Sequence, residues 1–143
     1  MGGRRAEAAT VADILVVGGG LAAATAIETM LTSGVEGRRI LLLSAEPELP
    51  YHRPPLSKGY VLGRVTRESL FVRPQRFYED AGVAVRLGVL VSRVDTERRS
   101  VTTKAGEKVE YEKLLLATGC TARTLDVPGN TLPNIFTLRT LAC

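Results

Sequence analysis

The stretch Ile14-Leu15-Val16-Val17-Gly18-Gly19-Gly20-Leu21-Ala22-Ala23 decides how this chain folds. Four apolar residues in a row suit a strand buried on both faces, the pattern of a parallel sheet. Glycines follow at once. Ala23, Ile27, Met30 and Leu31 then recur at helical spacing, with Gly34 as a suitable stop. A second apolar run at 40–43 completes β-α-β, one right-handed crossover unit. Gly18-x-Gly20-x-x-Ala23 therefore lies where strand turns into helix, and the first N–H groups and dipole of a helix favour a phosphate. The first glycine permits the tight turn, the second lets a pyrophosphate approach the backbone, and a small third residue lets helix and strand pack closely. An acid is expected about 20 residues further on, at the end of the second strand, to bind a ribose. Glu46 stands there, with Glu48, beyond Pro47, as the weaker substitute. Up to this point the pattern suits NAD and FAD equally.

Beyond this unit the chain changes character. Pro47, Pro50, Pro54 and Pro55 make 47–56 an irregular loop. A short helix is expected over 57–62, and another from Pro74 to Asp80, with proline near its start and Gly82 at its end. From 83 to 111 short alternating pieces separated by turns at 97–99 and 105–106 predict antiparallel strands. Residues 114–117 return to the buried-strand pattern, and 135–138 read as one more strand. Residues 1–12 are polar and read as a flexible tail, leaving 13–143 as one domain.

Composition narrows the function. The chain has 143 residues, is 45% hydrophobic and 24% charged, and carries a net charge of +4, enough for one domain with a core. The pairs Arg4-Arg5, Arg38-Arg39 and Arg98-Arg99 are scattered rather than gathered into the basic stripe that nucleic-acid binding needs, so no nucleic-acid partner is expected. Two cysteines and one histidine are too few for a disulfide framework or a zinc site. No apolar run is long enough to span a membrane, and no signal peptide is visible, so the expected location is the cytoplasm.

Two further motifs separate FAD from NAD. The loop Pro50-Tyr51-His52-Arg53-Pro54-Pro55-Leu56-Ser57-Lys58 closely resembles that of FAD-dependent ferredoxin reductases, a group similar to apoptosis-inducing factor and monodehydroascorbate reductase. Ala117-Thr118-Gly119, after a run of leucines, resembles the motif that ends a strand beside the flavin in this superfamily of pyridine nucleotide-disulfide oxidoreductases. The resemblance covers about residues 13–142. It implies an α/β, Rossmann-like FAD-binding domain of the glutathione-reductase type: a parallel sheet plus a small antiparallel meander, here cut short.

The resemblance also implies roles for particular residues. Gly18, Gly19, Gly20, Leu21 and Ala22 would lie along the pyrophosphate, and Glu46 would hold the adenosine ribose. Arg53 and Lys58 would reach the flavin side, Val91 would pack near the adenine, and Ala117, Thr118 and Arg139 would line the cofactor. The implied activity is electron transfer from NAD(P)H through FAD to a ferredoxin or rubredoxin. No residue of this chain is expected to be a catalytic acid or base, and no metal is expected. Ala45 stands where the family often has an acid, which leaves Glu46 to act alone. His52 occupies a variable loop place, and Cys120 reads as a packed thiol. A Cys-x4-Cys redox pair is missing from the 45–58 loop, which argues against the disulfide-reductase branch. The chain ends where the family would enter its NAD(P)H domain. The alternative expectation is therefore a non-catalytic module, or a half-subunit that associates with itself or a partner through an open sheet edge.

Overall fold

The computed structural model describes residues 10–142. Its centre is one six-stranded sheet built from β1 (Thr10–Val17), β2 (Ile40–Leu43), β3 (Ala84–Arg86), β4 (Val91–Asp95), β5 (Ser100–Thr103) and β6 (Lys108–Leu116), in the order β3-β2-β1-β6-β5-β4. β3, β2, β1 and β6 run parallel; β4, β5 and β6 form an antiparallel meander. This is the expected α/β arrangement, with both sheet types fused through β6. Helix α1 (Leu21–Thr32) makes the crossover from β1 to β2, and α2 (Gln75–Ala81) precedes β3.

The continuous apolar runs are explained by burial on two faces. Leu15, Val17, Leu41 and Leu43 share one face, where they form one core with Val101, Val109 and Tyr111 of the meander. Val16, Ile40 and Leu42 point to the other, against Ala23 and Ile27 of α1 and Tyr78 of α2. A third, smaller cluster of Tyr51, Leu56 and Leu70 organises the proline-rich loop, with Leu141 packed against it. Helix α2 begins after Pro74 and ends at Gly82, whose φ of 75° is the left-handed cap glycine readily adopts.

Five expectations are corrected. β1 begins at Thr10, so 10–12 belong to the sheet rather than to a tail: Thr10, Val11 and Ala12 pair with Val109, Glu110 and Tyr111. The expected tail at 1–9 lies outside the described residues. Ala84–Arg86 is not antiparallel; it extends the parallel sheet beside β2, because α2 returns the chain in the same direction. No helix occupies 57–62; the chain instead makes a 3-10 turn at Pro54–Ser57, where a proline fits the first helical position. Residues 135–138 form no strand: Ile135, Phe136 and Leu138 lie exposed, and among the described residues no strand lies beside them to pair. Cys120 is an exposed free thiol rather than a packed one.

β6 is a strand of two halves. Its first half is paired on both sides, by β1 and β5. Over 112–116, among the described residues, only β1 pairs with it, and Leu116 is 57% exposed.

Candidate functional site

At the carboxyl ends of β1, β2 and β6 the chain leaves a cleft of about 340 Å³, within the size range of small-ligand sites. Its position is that expected of a ligand site in an open parallel sheet, beyond the carboxyl ends of the strands where the strand order switches from one side of β1 to the other. Val17 and Gly18 open the cleft, Gly20, Leu21 and Ala22 form one wall, and Ser44 to Glu46 form another. Val89, Leu90 and Val91 close a third side, and Ala117, Thr118 and Gly119 the fourth.

Each wall has a local cause. The Gly18 N–H donates to the Leu43 carbonyl (2.8 Å) and the Ala117 N–H to the Val17 carbonyl (2.8 Å), so the ladders continue to the rim. A Cβ at Gly18, where φ is +117°, would sit 2.1 Å from the Ala117 carbonyl oxygen, and one at Gly19 would sit 2.1 Å from the Ser44 Oγ. At Gly20 a Cβ would meet nothing within 4 Å. Gly20 is also the N-cap of α1, and no side chain caps that helix end. Open space in front of an uncapped helix start is a cradle for an anion. The loop after β2 is clamped by backbone bonds, Gly88 N–H to Glu46 O (3.0 Å) and Val89 N–H to Ser44 O (2.7 Å).

Charge enters the cleft as a network. Arg53 pairs through Nη2 with Glu46 Oε1, and its Nη1 donates to the Tyr51 hydroxyl (3.0 Å) and the Arg139 carbonyl (2.7 Å). Burial works to lower the pKa of Arg53, but the bond to Glu46 and its charge outweigh that, so the guanidinium is held more firmly protonated. Burial, and then the bond to Glu46, push the Tyr51 hydroxyl above its ordinary pKa. The Arg139 side chain lies beside Cys120, with Nη2 3.7 Å from its Sγ.

Of the residues expected at a cofactor site, Gly18, Gly19, Gly20, Leu21, Ala22, Glu46, Arg53, Val91, Ala117, Thr118 and Arg139 all line this one cleft. Lys58 does not: it is exposed and ends the Pro54–Ser57 turn. Arg53 and Glu46, assigned to opposite ends of a dinucleotide, are joined in a single ion pair, because a half-buried guanidinium needs a counter-charge. The sequence reading passed over Ser44, which fills the space that Gly19 leaves, and Val89 and Leu90. The Tyr51 hydroxyl is a further polar group at this site, carried inside the loop motif and bonded to Glu46 and Arg53. Among the described residues no group of histidine, cysteine and carboxylate side chains is placed to hold a metal. No helix there is long and apolar enough to cross a membrane.

The family model of the pyridine nucleotide-disulphide oxidoreductases matches residues 12–142. The chain belongs to this family. Within it, the chain is 41% identical over 130 residues to the 5,5'-dehydrodivanillate O-demethylase ferredoxin reductase subunit of Sphingobium sp. strain NBRC 103272 / SYK-6, covering 91% of this chain and 31% of that protein. It is 39% identical to rhodocoxin reductase of Rhodococcus erythropolis, covering 90% and 30%. Among solved structures, a ferredoxin reductase from Rhodopseudomonas palustris superposes with a TM-score of 0.82 at 36% identity, over 91% of this chain and 32% of that one. The reductase in a covalent putidaredoxin reductase–putidaredoxin complex gives 0.76 at 34% identity, over 81% and 28%. This chain thus spans about a third of the length of the oxidoreductases it matches, and shares their Rossmann-like fold over that span.

Proposed function

We propose that this chain is the FAD-binding part of a flavoprotein oxidoreductase that carries electrons from NAD(P)H to a ferredoxin or rubredoxin. The observation that carries the reading is the open space at Gly20 before the uncapped start of α1, at the head of a cleft whose other walls hold Glu46, Arg53 and Arg139. That set fits FAD. Backbone N–H groups at the helix start would hold the pyrophosphate, Glu46 the ribose hydroxyls, and Val91, Ala117 and Thr118 the flat apolar surfaces. Glu46 has capacity left for a ribose: each carboxylate oxygen has one partner, and a carboxylate accepts about four hydrogen bonds. Arg139 lines the cleft and adds positive charge beside an anionic cofactor, while the charge of Arg53 is balanced by Glu46. Lys58, exposed and away from the cleft, is left out of the set.

Bound flavin would supply the redox chemistry, accepting two electrons as a hydride and releasing them singly. The residues of this chain bind and orient; none is proposed as a proton-transfer catalyst. An iron-sulfur carrier as acceptor is supported by the relatives, which are named for ferredoxin, rubredoxin and rhodocoxin reduction. The test is to load the purified chain with FAD, remove the excess by gel filtration and record the visible spectrum. A retained flavin band supports the reading; a folded but colourless protein sinks it.

A second reading is favoured by the half-paired β6. Residues 112–116 would then dock a partner strand, from another chain or a second copy. Sedimentation of the chain as a monomer at high concentration would count against it.

A further inference from the structure

Tyr51 is 2% exposed, its ring packed with Leu56 and Leu70 and with Leu141 against them. Its hydroxyl emerges beside the cleft and makes three hydrogen bonds. It donates to Glu46 Oε2 (2.5 Å), and it accepts from Arg53 Nη1 (3.0 Å) and from the Leu141 N–H (3.1 Å). A phenol has one proton and two acceptor positions, so all of its bonding capacity is used. Two of its partners are cationic or neutral donors, which leaves Glu46 as the destination of the single proton. The same oxygen thus fixes one carboxylate oxygen of Glu46 and holds the main chain at 141, about 90 residues away in sequence. Arg53 closes the loop a second time, from Glu46 to the Arg139 carbonyl.

We propose that Tyr51 is a positioning residue for dinucleotide binding: its hydroxyl sets the Glu46 carboxylate toward the cleft and couples that carboxylate to the docking of segment 139–141. This rests on the FAD reading of the cleft. Because coupling is reciprocal, a ligand that orders Glu46 also tightens the hold on Leu141, and a loosened Leu141 weakens the ligand. The ring alone cannot do this, since its packing is unchanged in phenylalanine.

The test compares the 143-residue chain with its Tyr51→Phe variant, by FAD titration and by amide hydrogen exchange with and without FAD. The Leu141 amide reports the coupling. The His52 amide, which donates to the Leu70 carbonyl and does not use the hydroxyl, reports the folded loop. In the parent chain FAD should slow exchange at Leu141 about fivefold or more. In Tyr51→Phe, FAD affinity should fall about tenfold, the loss expected when a charge-assisted bond goes. FAD should no longer protect Leu141, while His52 stays as protected as before. Equal FAD affinity in the variant, or FAD-dependent protection of Leu141 that survives in it, overturns the proposal while leaving the FAD reading intact. A parent chain that binds no FAD overturns both. If Tyr51→Phe loses protection at His52, the decision passes to Leu141→Pro, which deletes the N–H and keeps the hydroxyl. That variant should also weaken FAD binding, and unchanged affinity in it overturns the coupling.

Discussion

At Gly18 a Cβ would collide with the Ala117 carbonyl oxygen, whereas at Gly20 it would meet nothing, although both glycines belong to one short turn. The first is constrained by the fold; at the second no protein atom sets a constraint, and the proposed FAD site assigns one to the cofactor. Gly18→Ala should therefore destabilise the chain by about 3 kcal/mol, strained both by its positive φ and by the clash. Gly20→Ala should change stability by less than about 1 kcal/mol and abolish FAD retention. Urea unfolding and a flavin titration on both variants separate the two, and a Gly20→Ala chain that still retains FAD would contradict the assignment. A different case is Tyr78, buried in the core with a hydroxyl that has no partner among the described residues and a pKa pushed up to about 12 by burial. Tyr78→Phe should stabilise the fold by about 1 kcal/mol in the same unfolding assay. The glycines were legible in sequence because their spacing encodes backbone geometry directly. The Glu46–Arg53 pair was not, because two charges seven places apart in an irregular loop leave no periodic trace. Lys58 shows the converse: a motif names a residue type, while the direction of the chain decides whether it reaches the cleft.

β1, α1, β2 and α2 were readable because each shows a period or a stop that a single element sets by itself. β3 was not, since three residues cannot announce their direction; only the position of α2 across the sheet makes that strand parallel. Residues 135–138 read as one more strand of the buried type, yet a strand needs a neighbour, and none lies beside them among the described residues. One ion pair links elements that the sequence keeps apart: Arg86 at the end of β3 and Glu107 before β6. The bond to Arg86 holds the Glu107 carboxyl below its ordinary pKa. A depressed carboxylate contributes stability above its unfolded pKa and loses it as pH falls through the folded value. Glu107→Gln should therefore cost less than about 1 kcal/mol at neutral pH, given the exposure of the pair. The difference from the parent should close as pH drops below about 4. Thermal melts across that range check this, and a gap that widened in acid would refute it.

For the molecule as a whole, the fold class and the place of the cleft could be read from sequence, because both follow from one β-α-β unit and the motif that ends β6. How the walls are held together could not, since the network from Glu46 through Tyr51 and Arg53 to residue 141 joins segments that meet only after folding. If FAD binds this folded form alone, a concentration 100 times its dissociation constant adds about 2.7 kcal/mol, a rise in Tm on the order of 8 °C. An unchanged melting temperature at saturating FAD would defeat that expectation. β6 has one more consequence. Ile14 pairs with Lys113 and Val17 with Leu116, so the central strand finds its second neighbour across about 100 residues of chain. Synthesis makes β1 and β2 well before β6. Until β6 follows, the flank of β1 that β6 covers has no strand beside it, and an unpaired strand edge of that kind is prone to aggregation. The delay built into that pairing is a matter of timing rather than of contact strength: the strand that completes the middle of the sheet is one of the last to be made in this span.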